Sequence, residues 1–277
     1  MRTTIYLRAA AGLVLTSLAC GSSGSGKGPD AGAEADASPD PIDYASATAA
    51  MAAVAAEDPL CQGLGDFYWS VGSRDGRLGM GAIGSTYDES TRMPIFSASK
   101  WIFGAYVLEQ GGGVLDASLI AGLNFTSGYA EDGLPLCVPT DTVGSCFENN
   151  FAELRAERVG TFHYASGHMQ KLAAIDLGLF DMSEAQFASA IMDELGEDLE
   201  LTFDVNVLDG AVAGPLAAGG MNTHPAAYES FLARMVDGQY QISSRLGDEA
   251  VATGNPAAQY SLGHWVELLG GVTEAYS

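Results

Sequence analysis

The segment Phe96 to Glu109, FSASKWIFGAYVLE, is a helical run with almost no polar face. Trp101, Ile102, Phe103, Tyr106, Val107 and Leu108 surround a single lysine, Lys100, in a chain whose only other lysines are Lys27 and Lys171. A surface helix keeps one polar stripe for its charges, whereas this run offers Lys100 little side to escape to. The fold must therefore accommodate a desolvated lysine one helical turn after a serine, Ser97. Three glycines, Gly111 to Gly113, follow the run and predict its end.

A chain of 277 residues can hold one sizeable domain with appendages, large enough to fold without staples. Its formal charge of −23 and pI near 4.2 repel phosphate backbones and anionic membrane surfaces, which argues against nucleic acid as a partner. The first residues read as an export signal. Arg2 and Arg8 flank the start, and Ala9 to Ala19 is an apolar run too short to cross a bilayer as a mature helix, so residues 1–19 are expected to be removed. Cys20 after Ser17-Leu18-Ala19 resembles a bacterial lipoprotein site, at which the cysteine is lipidated. Ser17 stands where leucine is usual, and plain secretion into the periplasm or medium is the alternative. Residues 20–43 are small, acidic and proline-bearing, and cannot bury enough apolar surface to order themselves. They read as a tether to a folded domain spanning 44–277, with membrane contact only through the lipid.

In an oxidising compartment the near pair Cys137 and Cys146 is the expected disulfide, and Cys61 has no assigned partner. Ser46 to Ala56 is alanine-rich and predicts a helix. Phe67 to Ser73 and Leu78 to Ser85 flank an Asp75-Gly76 turn and predict an antiparallel hairpin. His168 to Leu177, Glu184 to Leu195 and Pro225 to Gly238 read as amphipathic helices, and Tyr260 to Leu269 has strand character. Strands thus bracket a helical middle, which suggests an α/β (α+β) sandwich whose antiparallel sheet is assembled from both chain ends around an inserted helical subdomain.

Some motifs fail on context. Gly79 to Gly84 (GMGAIG) matches the dinucleotide fingerprint, but it lies within a predicted strand with no helix after it to receive a pyrophosphate. His163, His168, His224 and His264 show no metal-binding spacing, so neither a metal nor another cofactor is implied. No G-x-S-x-G elbow occurs. What remains is S-x-x-K at Ser97 and Lys100, serine at the helix start and lysine over the same face. A serine hydroxyl attacks carbonyl carbon only when something takes its proton, and a desolvated lysine in its neutral form can do so. The helix N-terminus favours the negative charge that develops there. This chemistry is acyl transfer.

Three further features occur in order. Tyr164 to Ser166 (YAS) opens a second helix, Leu216 to Thr223 (LAAGGMNT) precedes another, and Tyr260 to Val266 reads YSLGHWV. With the S-x-x-K motif, this order over about residues 65–269 resembles the penicillin-recognising serine hydrolases: class C β-lactamases, the related D,D-peptidases and esterases, and 6-aminohexanoate-dimer hydrolases. The resemblance implies a β-lactamase and penicillin-binding-like fold. It also implies Ser97 as nucleophile, Lys100 as its proton acceptor, Tyr164 as proton shuttle to the leaving group, and Ser166 hydrogen-bonded to lysine and substrate. Ser166 replaces the asparagine usual in class C β-lactamases, which moves the likeness toward the esterase and aminohexanoate-hydrolase branch. The family's K-T-G or H-x-G strand, which supplies half of the oxyanion hole, has no counterpart before Ser277, so the domain is expected to be incomplete at its C-terminus. The expected protein is an exported, monomeric hydrolase of a small-molecule or peptide ester or amide. Its rival is a non-catalytic envelope lipoprotein that binds a cell-wall peptide.

Overall fold

The computed structural model describes residues 44–73, 76–133, 137–203, 214–269 and 272–276, so the expected signal segment, Cys20 and the tether lie outside the described residues. The described residues divide into two compact units, 44–88 and 89–276.

In the first unit, α1 (Tyr44–Glu57) and α2 (Pro59–Gln62) precede β1 (Phe67–Ser73) and β2 (Gly76–Ile83). The two strands pair antiparallel from Phe67↔Ile83 to Ser73↔Gly76, with a register shift at Val71/Gly72, so the expected hairpin forms, with Gly76 paired inside β2 where the sequence placed it in the turn. The glycines of the discarded fingerprint have a packing role. A Cβ on Gly79 would stand 2.2 Å from Thr48 Cγ2, and one on Gly81 would stand 2.7 Å from the Trp69 ring. Bare backbone at these places lets α1 and an indole lie flat on β2. Ala55, Cys61, Phe67 and Trp69 form the small core beneath, and Cys61 is not a free thiol.

The second unit is built around α3 (Ser99–Gln110), in which every residue from Ser99 to Leu108 is buried. Its neighbours meet it through aromatic contacts. Phe103 lies edge-on to Phe187 of α7 (Glu184–Leu195), and Trp101 lies edge-on to Phe231 of α8 (Pro225–Val236). Around these lie α4 (Ala117–Leu123), α5 (Val143–Asn150) and α6 (Gly167–Lys171). Local chemistry sets the helix ends: Thr142 with Ser145 and Ser183 with Gln186 form capping boxes, and Pro225 follows the His224 cap. The helix expected over His168 to Leu177 is shorter, because α6 passes into a π-helical turn at Leu172–Asp176. The Cys137–Cys146 disulfide is present and ties α5 to the loop before it.

Short strands β3 (Met93–Pro94) and β4 (Asn222–Thr223) pair antiparallel, and β5 (Val251–Ala252), β6 (Ala258–Ser261), β7 (His264–Leu269) and β8 (Val272–Tyr276) form an antiparallel meander. The segment read as one strand over Tyr260 to Leu269 is a hairpin. Ser261 pairs with His264 across a two-residue turn in which Leu262 (φ 45°) and Gly263 (φ 94°) both take the left-handed conformation. That backbone matches the twist of a tight hairpin, and a leucine in its first position conceals the turn from a composition-based reading. The described strands pair antiparallel throughout, as the β1–β2 hairpin, the β3–β4 pair and the β5–β8 meander. The mixture of helices and antiparallel strands agrees with the expected α/β class.

Candidate active site

The β3–β4 pair positions the site. Beyond Pro94, the Ile95 N–H donates to the Met221 carbonyl at 3.0 Å, so the residues entering α3 run beside those leading into β4. Phe96 then takes φ 45°, a left-handed conformation that costs a bulky residue on the order of 1–3 kcal/mol and persists only where its surroundings enforce it. Phe96–Ala98 form a 3₁₀ turn, so α3 begins at Ser99 and Ser97 stands on the turn that feeds it. The Ser97 N–H, at the open end of this turn, has no backbone partner among the described residues.

Lys100 is 4% exposed, and its Nζ donates to Ser97 Oγ at 3.1 Å and to the Ala218 carbonyl at 2.6 Å. Among the described residues no carboxylate pairs with it. The Ala218 carbonyl is held in place by Gln170 of α6, which is fully buried. Its Nε2 donates to the Val143 and Pro215 carbonyls, each at 3.0 Å, and its Oε1 accepts from the Ala217 N–H at 3.0 Å.

Tyr164 enters from the loop before α6. Its ring lies under Lys100 Nζ at 4.9 Å from the centroid, within cation–π range, and its edge contacts Phe125 and Tyr260 while its face stacks on Trp265. The residue is 41% exposed, and its hydroxyl has no hydrogen bond among the described residues. Ser97, Lys100 and Tyr164 are thus gathered in one place. Ser166 is near in sequence, but its side chain makes no hydrogen bond to Lys100. Its backbone N–H donates to Glu131 Oε1 at 2.7 Å, and the Gly167 N–H donates to Glu131 Oε2 at 2.8 Å.

Two buried histidines flank this region. His168 stacks on Phe125 and joins Ser127 Oγ at 2.7 Å and the His163 carbonyl at 3.1 Å, and burial pushes it down to about 4. His264 stacks on Trp101, accepts from the Gly247 N–H at Nε2 at 3.4 Å, and is pushed down by burial to about 3. Both are neutral parts of the core near neutral pH. The sequence reading missed Gln170, Glu131 and the Ala218 carbonyl. All three act through backbone hydrogen bonds between distant segments, which leave no pattern in residue type.

No family model matches the chain, and no curated protein matches it in sequence. Solved structures do match. The D-stereospecific amidohydrolase from a Streptomyces species aligns with TM-score 0.59 at 17% identity, over 84% of this chain and 86% of that one. The octameric penicillin-binding protein homologue from Pyrococcus abyssi aligns with TM-score 0.60 at 13% identity, over 84% and 67%. The D-amino acid amidase from Ochrobactrum anthropi aligns with TM-score 0.54 at 14% identity, over 78% and 81%. At these identities the likeness is one of architecture, and the chain has the β-lactamase and penicillin-binding-protein-like fold that its motif order implies.

Proposed function

We propose that the protein is a serine hydrolase that opens an ester or amide bond through an acyl-enzyme on Ser97. The observation that carries this reading is the buried Lys100 Nζ, 3.1 Å from Ser97 Oγ and 2.6 Å from the Ala218 carbonyl. A neutral amine has two N–H bonds and one lone pair. With one N–H committed to the Ala218 carbonyl, the lone pair can face the serine hydroxyl. Lys100 then takes the Ser97 proton as Oγ attacks the substrate carbonyl carbon, and the unpaired Ser97 N–H at the open end of its turn donates to the developing oxyanion. The tetrahedral intermediate collapses as its leaving group departs with a proton supplied through the hydroxyl of Tyr164, a residue left 41% exposed beside Lys100. Water reverses the sequence and frees Ser97.

Two structural neighbours, a D-stereospecific amidohydrolase and a D-amino acid amidase, favour amides over lactams as the first substrates to try. Export and anchoring at Cys20 belong to the same proposal and would place the domain in the cell envelope. The test is intact mass after treatment with a fluorophosphonate. A single adduct is expected, absent in Ser97→Ala and strongly slowed in Lys100→Ala. A folded protein that takes no adduct refutes the catalytic reading and leaves a binding role.

A further inference from the structure

The position of the Tyr164 hydroxyl poses a problem, since it makes no hydrogen bond of its own among the described residues and the loop carrying it has no regular structure after the short 3₁₀ turn at Ala156–Arg158. Its backbone must hold it. On the N-terminal side the His163 N–H donates to the Phe125 carbonyl at 3.0 Å. On the C-terminal side the Ser166 and Gly167 N–H groups donate to the two oxygens of one carboxylate, Glu131, at 2.7 and 2.8 Å. A side chain at 167 is excluded, because its Cβ would stand 2.6 Å from the Tyr129 carbonyl and 3.1 Å from Glu131 Oε2. Two short, charge-assisted bonds from adjacent amides form a fork that only a carboxylate can fill from both sides.

We infer that Glu131 is a positioning residue for the proposed reaction, acting through Tyr164 by clamping the two amides that follow it. This rests on the hydrolase reading above. Glutamine at 131 keeps one acceptor oxygen and turns an NH₂ group toward the second amide, so the fork opens on one side. The loop then relaxes, and a misplacement near 1 Å at a proton-transferring group is enough to cost on the order of 10²-fold in rate.

The experiment is a double-mutant cycle on the full chain, with D-alanine para-nitroanilide as substrate, since an amide leaving group needs a proton. Glu131→Gln is expected to lower kcat about 10- to 100-fold with KM within about twofold. Tyr164→Phe is expected to lower kcat by about 10²-fold or more. In the Tyr164→Phe background Glu131→Gln should cost less than about twofold, because the group it positions is gone. Glu131→Asp, which keeps the charge on a shorter stem, runs through the same cycle should the glutamine variant fail to fold. An equal loss in both backgrounds, or a rise in KM with kcat unchanged, overturns the inference while leaving the hydrolase reading intact. Wild-type turnover by Tyr164→Phe removes Tyr164 from the mechanism and this inference with it. An anilide that the unaltered protein does not cleave counts against both.

Discussion

Gly104, in the middle of α3, sets helix propensity directly against packing. In an isolated helix, alanine in its place would be better by about 1 kcal/mol. Here a Cβ at 104 would stand 2.3 Å from the Leu262 carbonyl oxygen, which belongs to the backbone of the β6–β7 turn. That turn has little freedom to yield. The Leu262 N–H is bound to Asn124 Oδ1 at 2.6 Å, and a Cβ on Gly263 would in turn stand 2.4 Å from the Lys100 carbonyl. The turn would have to retreat by about 1 Å to restore van der Waals distance. Overpacking of this kind costs about 1–3 kcal/mol, with a rigid backbone contact at the upper end, so about 3 against about 1 leaves a net loss near 2 kcal/mol. For a chain of this size that lowers Tm by about 4–8 °C. Urea unfolding followed by tryptophan fluorescence measures the difference directly. Activity should fall as well, since the hairpin carries Tyr260 and Trp265 against the Tyr164 ring. A Gly104→Ala variant as stable as the parent, or more so, would show that α3 and the turn do not approach so closely and would refute the reasoning.

Other outcomes follow from the buried groups and the disulfide. His264 is held near 3 in the folded chain against an ordinary value of 6.5, so the unfolded state takes up its proton first, and stability is lost as pH falls from about 6.5 toward 3. The loss is about 1.4 kcal/mol per pH unit, hence about 2 kcal/mol between pH 6.5 and 5. His264→Phe, which keeps a ring on Trp101, should remove that much of the pH dependence, and an unchanged slope in urea unfolding at the two pH values would contradict the burial argument. His168, pushed down to about 4, adds a slope of the same sign that remains in this variant. Replacing Cys137 and Cys146 by alanine reopens a loop of sequence separation 9 and should cost about 2–3 kcal/mol in urea unfolding. A smaller loss would mean that the unfolded chain already holds the two positions close.

The sequence alone determined what depends on near neighbours. The period of apolar residues with the Ser183 and Gln186 cap set α7 to its observed bounds, and two strand-like segments a short connection apart set the first hairpin. Ser97 and Lys100 meet because three residues along a turn and helix bring side chains over one another, so the central pair of the site was legible in a single segment. Hydrophobic periodicity and turn chemistry act within about a dozen residues, and their signal survives without knowledge of the fold. The rest of the site required closure over long stretches. Ala218 reaches Lys100 across 118 residues through the β3–β4 pairing, and Gln170 and Glu131 hold backbone groups 47 and 35 residues away. In a chain with 35 acidic residues, nothing in composition distinguishes Glu131, whose two oxygens each take one amide of the segment after Tyr164, from the carboxylates that face water. Only the tertiary structure decides it, because a hydrogen bond to backbone depends on where two segments meet and not on which residues lie beside them in sequence.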